Sequence, residues 1–159
     1  MNPTITTLTE KKCIGLNQNM SYTDYQAQEI WKRFMPRRNE IKNRVGADYL
    51  SIQVFGNSYW NAFNADNTFQ KWAAVEVSVL EDVPAEMDTL TIPTGLYAVF
   101  VYKGDGATAP AFFESIFRSW LPNSIYELAD RPHFEILGEK YQKNNPNSEE
   151  EVWIPIQFK

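Results

Sequence analysis

Two segments of strict alternation constrain what this chain can become. From Tyr49 to Phe55, the residues Leu50, Ile52 and Val54 share one face, and Tyr49, Ser51, Gln53 and Phe55 share the other. From Trp72 to Leu80, Ala73, Val75, Val77 and Val79 share one face, and Trp72, Ala74, Glu76 and Ser78 the other. Period-two patterning of this kind marks half-buried strands of an antiparallel sheet. Gly56-Asn57-Ser58 reads as the turn after the first of them. Upstream, residues 11–20 read as a strand, and Ala27, Ile30, Trp31, Phe34 and Met35 recur at helical spacing. Asp24 is placed to cap that helix, and Pro36 to end or kink it, because proline lacks the N–H a helix interior needs. The basic run after Pro36 suits a helix C-terminus with a stop near Gly46.

The same order then returns. A short strand near Met87 to Ile92 ends at Pro93-Thr94-Gly95, and Leu96 to Tyr102 is a further strand. Pro110 suits a first helical turn, and Phe112, Phe113, Ile116, Phe117, Trp120 and Leu121 form a wide apolar stripe stopped by Pro122-Asn123. His133 to Leu137 and Val152 to Phe158 are the last strands, with Pro155 pointing to a sheet edge for the second. Strand–helix–strand–strand thus occurs twice, in roughly 11–80 and 95–158, as a duplication of topology rather than of sequence. The expected fold is α+β: one domain over 1–159, two pseudo-symmetric halves forming a curved antiparallel sheet, helices on one face and a ligand cleft on the other.

Composition narrows the function classes. A single cysteine, Cys13, and a single histidine, His133, leave no material for a disulfide, a paired-cysteine zinc site or a multi-histidine metal site. Cys13 reads as a small buried hydrophobe and His133 as a structural residue rather than a general base. Net charge is −5, which argues against direct nucleic-acid binding, since phosphate contacts need a basic face. No secretory signal and no membrane-length apolar run is present, so the expectation is a cytoplasmic protein. No cofactor is implied; Gly104-Asp105-Gly106 is too short for a phosphate loop. Aromatic residues make up 14% of the chain, which suits a large aromatic core or an aromatic-lined cavity for an organic ligand.

Glu135 is the leading candidate for a site. If Phe134 and Ile136 pack beneath the second helix, alternation sends Glu135 to the open face. A carboxylate central in a strand among aromatic residues is costly unless paired, and a cationic ligand would pair it. The same pattern also fits a solvent-facing glutamate. By strand parity Glu76 is a second carboxylate across the cavity, or a surface glutamate. Trp153 is expected on Glu135's side of the sheet, and Tyr49, Phe55, Trp72 and Tyr97 are further wall candidates or core residues. Trp31, Trp120 and the helical phenylalanines read as core.

The chain resembles the GyrI-like small-molecule-binding domains, which also serve as effector-binding domains of AraC-type and MerR-type regulators. The residues that carry the resemblance are Gly95-Leu96-Tyr97-Ala98-Val99-Phe100 with Lys103-Gly104, and Trp120-Leu121-Pro122-Asn123-Ser124. Arg131-Pro132-His133-Phe134-Glu135-Ile136, Glu151-Val152-Trp153-Ile154-Pro155-Ile156 and Ile30-Trp31-Lys32-Arg33-Phe34 add to it. The resemblance implies two pseudo-symmetric halves and a cleft between them that often selects lipophilic cations. It places the family's pocket glutamate on Glu135 and its last-strand aromatic position on Trp153. Only about ten residues precede the first expected strand, so a stand-alone module is expected, and transcriptional control would need an unknown DNA-binding partner.

Three functions compete. The first is a binding module for a lipophilic cationic or aromatic effector or drug. The second, which the resemblance implies because some stand-alone relatives are similar to hydrolases, is a hydrolase of strained, electrophilic toxic small molecules, with Glu135 and, more weakly, Tyr97 activating water. The third is an acidic interaction module that inhibits a DNA enzyme. No motif demands catalysis, so binding leads.

Overall fold

The computed structural model describes residues 1–159. Nine strands and two main helices follow in the order β1 (Thr4–Leu8), β2 (Lys11–Met20), α1 (Ala27–Phe34), β3 (Tyr49–Val54), β4 (Phe69–Val77), β5 (Asp88–Ile92), β6 (Gly95–Lys103), α2 (Ala109–Ser115), β7 (Tyr126–Leu128), β8 (His133–Leu137) and β9 (Glu149–Phe158). The class is the α+β class expected. Every strand pair is antiparallel, in the order β1-β6-β9-β8-β3-β4-β2-β5, with β7 also on β9.

That order is symmetric about the β3–β8 seam. Placing β1 on β5, β2 on β6, β3 on β8 and β4 on β9 reproduces every neighbour. The registers agree: Thr4 lands on Asp88, Lys11 on Gly95 and Tyr49 on His133. Ser51 lands on Glu135, and these two are also register partners across the seam. They therefore straddle the pseudo-two-fold axis. On the outer strands Lys71 lands on Glu150. The halves also exchange arms, because β1 pairs with β6 of the second half and β5 with β2 of the first.

Helix α1 arises from apolar residues at i, i+3, i+4 and i+7, with Glu29 in its first turn and Lys32 and Arg33 in its last, matching the helix dipole. It buries Ile30 and Phe34 against Ile14, Leu16, Ala73 and Val75. Each such side chain contributes about 1.5–3 kcal/mol by leaving water. Pro36 converts the chain to a 3-10 segment, Met35–Glu40. Asp24 does not cap the helix; its carboxylate accepts from the Gln26 side-chain amide at 3.0 Å, and no side chain caps the N-terminus. Helix α2 begins with Pro110 in its first turn and passes into a wider π turn, Ile116–Trp120. Ile116, Phe117 and Trp120 pack with Ala98, Phe100, Val152 and Ile154.

Two short strands escape the sequence pattern, β1 and β7. Pro155 is also not at an edge. Strand β9 lies between β6 and β8, and Pro155 falls where β9 exchanges β8 for β7 as its neighbour, at a break in the ladder.

Cores form on both faces of the sheet. The face away from the helices is closed by Leu8, Cys13, Leu50, Ile52, Trp72, Ala74, Ile92, Tyr97 and Phe134. Strand alternation is as read, but the covered faces differ from expectation. Phe134 and Ile136 join this helix-free core, so Glu135 faces the helix side.

Candidate functional site

Each helix stands over the outer strands of its own half, α1 on β2 and β4, α2 on β6 and β9. The central strands β3 and β8 are left between them as the floor of a groove. Across that floor the register places Lys71 (β4), Ser51 and Gln53 (β3), Glu135 (β8) and Glu150 (β9) on one face. Burial leaves Ser51 and Gln53 each 7% exposed and Lys71 2% exposed.

Gln53 links the charges. A lysine ammonium only donates, so it must meet the amide oxygen, while the amide N–H faces the carboxylate. In that orientation Gln53 donates to Glu135 Oε2 at 3.0 Å and accepts from Lys71 Nζ. No direct ion pair joins Lys71 to Glu135 within 4.0 Å.

Burial pushes the Glu135 carboxyl above the usual range, with Lys71 and the Gln53 hydrogen bond pulling the other way. Glu150 is pushed up to about 7, by burial and then by the Glu135 charge, with Lys71 opposing. The two carboxyls, on the adjacent strands β8 and β9 of the second half, thus compete for ionisation.

Aromatic side chains roof the floor. The Tyr25 ring lies 5.9 Å from Lys71 Nζ and stacks at 5.8 Å on Tyr22. Tyr22 feels the Glu135 charge and Tyr141 that of Glu150, so both rings stand near the carboxylates. Tyr22, Tyr25, Phe63 and Tyr141 are exposed at the rim. At one end, Trp60 stacks on Phe117 of the second half at 5.1 Å and on His133 at 5.9 Å. His133 is fully enclosed there, and burial pushes its imidazole down to about 3, so it is neutral at pH 7 and packs as a flat ring. Beyond Trp60 lies a hollow of about 400 Å³ lined by Phe55, Trp60, Tyr126, Leu128, Asp130 and Arg131 among others. It does not include Glu135; the buried charges lie on the floor formed by the central strands between the helices.

The residues singled out from sequence divide between the two faces. Tyr49 and Phe55 share Glu135's face. Tyr49 packs edge-on to Trp31 at 6.2 Å with Arg44 over its ring; Phe55 packs on Tyr59, Trp60 and His133. Trp72, Tyr97 and Trp153 lie on the opposite face. Trp72 and Tyr97 are buried in the helix-free core, and Trp153 stacks on Phe134 at 5.3 Å. The physical reason is register: Phe134, not Glu135, is the partner of Trp153. Glu76 pairs with Cys13 on that same face and forms an ion pair with Lys11 at 3.2 Å, away from Glu135. Cys13 is buried, and burial pushes its thiol up to about 12.

Gln53, Lys71, Glu150, Tyr22, Tyr25 and Tyr59 were not picked out from sequence. Lys71 had a usable signal, since it falls in phase with Ala73, Val75 and Val77 and so must point to the helix-covered face.

The fold is shared with known proteins. The transcriptional regulator BrlR of Pseudomonas aeruginosa is 28% identical over 129 residues, covering 80% of this chain and 45% of the regulator, so the chain spans about half the length of that relative. Among solved structures, SAV2435 bound to tetraphenylphosphonium superposes with a TM-score of 0.70 at 19% identity, covering 99% of this chain and 94% of that one. EcmrR, solved by cryo-EM in a complex with DNA, gives 0.74 at 11% identity, with 99% and 58% covered. A hydrolase from Listeria innocua gives 0.58 at 10% identity, with 98% and 92% covered. At these identities the structural likeness establishes the fold. Residues 1–157 match the GyrI-like small molecule binding domain, and on that match the chain belongs to the GyrI-like family.

Proposed function

We propose that the protein binds an aromatic, cation-bearing small molecule in the helix-side groove, with Glu135 as countercharge and the rim tyrosines as walls. One observation carries this reading. A carboxylate lies beside the pseudo-two-fold axis with the Tyr22 ring near it, and its nearest cation is held off by an intervening glutamine rather than paired with it. An organic cation stacking on Tyr22 and Tyr25 would supply the missing direct charge, with cation–π attraction of about 1–2 kcal/mol from a desolvated ring. The presence of tetraphenylphosphonium, a lipophilic cation, on SAV2435 supports the same assignment. The likeness to BrlR and EcmrR supports effector sensing.

Titration calorimetry with tetraphenylphosphonium and with neutral triphenylphosphine oxide tests the reading. Glu135→Gln is expected to weaken the cation at least tenfold and the neutral compound much less. Equal losses for both would remove Glu135 from the role of countercharge.

The likeness to the Listeria hydrolase, together with the raised Glu135 carboxyl, favours a second reading in which Glu135 moves a proton during hydrolysis of an electrophilic substrate. Product formed in excess of protein distinguishes turnover from stoichiometric capture.

A further inference from the structure

Lys71 touches no ligand in the reading above, yet it is one of the most deeply buried side chains in the molecule. A buried ammonium is costly unless its three N–H donors are met. The protein meets them poorly. Gln53 accepts one hydrogen bond, the Tyr25 ring face lies 5.9 Å away, and no carboxylate forms an ion pair with it. A second donor in the same aromatic cluster is also unmet: the Tyr59 hydroxyl, on a residue 5% exposed, has no hydrogen-bond partner. Tyr59 packs on Phe55 at 4.6 Å and lies close enough to Tyr22 to affect its ionisation.

The floor therefore has a polarity. Reading across β4, β3, β8 and β9, it runs cation, amide, carboxyl, carboxyl, and Lys71 and Glu150 occupy equivalent positions of the two halves. Lys71 is level with Gln53 and His133, and Glu135 lies two residues further along β8, so the cation and the nearer carboxyl stand diagonally across two strand spacings of about 4.8 Å each. A purely cationic guest would satisfy Glu135 and leave Lys71 both unmet and repelled.

We propose that the groove selects amphoteric aromatic ligands, whose cationic group meets Glu135 and whose anionic group meets Lys71. This deepens, and rests on, the binding function proposed above. Lys71 is then the specificity-determining residue.

Rhodamine 110, a zwitterionic free acid, and rhodamine 123, its cationic methyl ester, differ only at the group concerned. Fluorescence anisotropy should show the wild-type protein binding the acid about tenfold more tightly than the ester. Lys71→Met should weaken the acid about tenfold and leave the ester unchanged or tighter. Lys71→Gln, which keeps a donor without the charge, should fall between. Equal affinity of the wild-type protein for the two dyes, preference for the ester, or no saturable binding of either overturns the proposal. So does a Lys71→Met protein with an intact melting transition that shifts both dyes alike. If Lys71→Met does not fold, the wild-type dye preference decides alone. Glu135→Gln run in parallel separates the two claims: if it leaves both dyes unaffected, the binding function itself fails, whereas lost dye selectivity with Glu135 still required fails only the role of Lys71.

Discussion

The two faces of the central strands are built from alternate residues of the same segments, yet they do opposite things. On the helix-free face Leu50, Ile52, Trp72, Tyr97 and Phe134 close into a dry core. One residue away along each strand, Ser51, Gln53, Lys71 and Glu135 form a polar floor whose charges are separated by an amide. A close-packed apolar face holds the backbone rigid enough to keep a badly solvated carboxylate and ammonium in fixed relation on its reverse. Stability and selectivity are thereby divided by a single step of strand pleat.

The sharpest way to break that contrast is a paired substitution at neighbouring positions. Phe134→Ala should lower unfolding free energy by about 3–5 kcal/mol, because a fully buried ring leaves a cavity. Glu135→Gln, one residue on, should change it by no more than about 1 kcal/mol while removing cation binding, since loss of a desolvated charge offsets the loss of its hydrogen bond. Urea denaturation of both proteins reads the difference; equal destabilisation would mean the polar floor is as structural as the core.

A pH series sharpens the comparison further. A carboxyl raised in the folded state keeps its proton longer than in the unfolded chain, so Glu150 stabilises at low pH and loses that contribution as pH rises from about 4.5 to about 7. Glu135 acts in the same direction. His133 acts in the opposite one: with its folded-state value down at about 3, it stabilises above pH 6.5 and that contribution drains away as pH falls toward 3. Between about pH 4.5 and 6.5 the slopes oppose, and with two carboxyls set against one imidazole the native protein should lose stability gently as pH rises there. Glu150→Gln should flatten that loss and His133→Phe should steepen it, each by roughly 1–2 kcal/mol across the window. Melting temperature against pH for the three proteins checks it, and parallel curves would sink the assignment.

The smallest expected effect is at Glu76. Its ion pair with Lys11 is partly exposed, so Glu76→Gln should cost less than about 1 kcal/mol and leave ligand affinity unchanged. A loss of binding there would move the site to the other face.

Alternation made the central strands and the duplication legible, because both faces of those strands are covered and each carries its own pattern. It could not say which face lay under the helices. Leu50, Ile52, Phe134 and Ile136 look equally suited to a helix or to a second apolar layer, and only the pairing of Phe134 with Trp153 across β8 and β9 separates the possibilities. Glu135 was identifiable as a carboxylate turned away from its apolar neighbours, whereas Trp72, Tyr97, Trp153 and Glu76 were assigned to its face by parity that does not carry from strand to strand. Lys71 went unnoticed because strand β4 begins earlier, at Phe69, than the apolar run suggests. Glu150 lies before the apolar alternation that marks the last strand from Val152, yet Glu149, Glu150 and Glu151 continue β9 against β6. Strand β1, TITTL, has too little hydrophobicity to announce itself, and it is held by long-range pairing with β6.

The exchanged arms bear on how a guest gets in. Because β1 is knitted into the far half and β5 into the near one, the molecule is dovetailed at its ends, and prising the halves apart would tear two ladders at once. The seam at Ser51 and Glu135 is thus a fixed ruler, and the range of guests accepted is governed by how far the rim side chains swing aside rather than by any jaw-like opening.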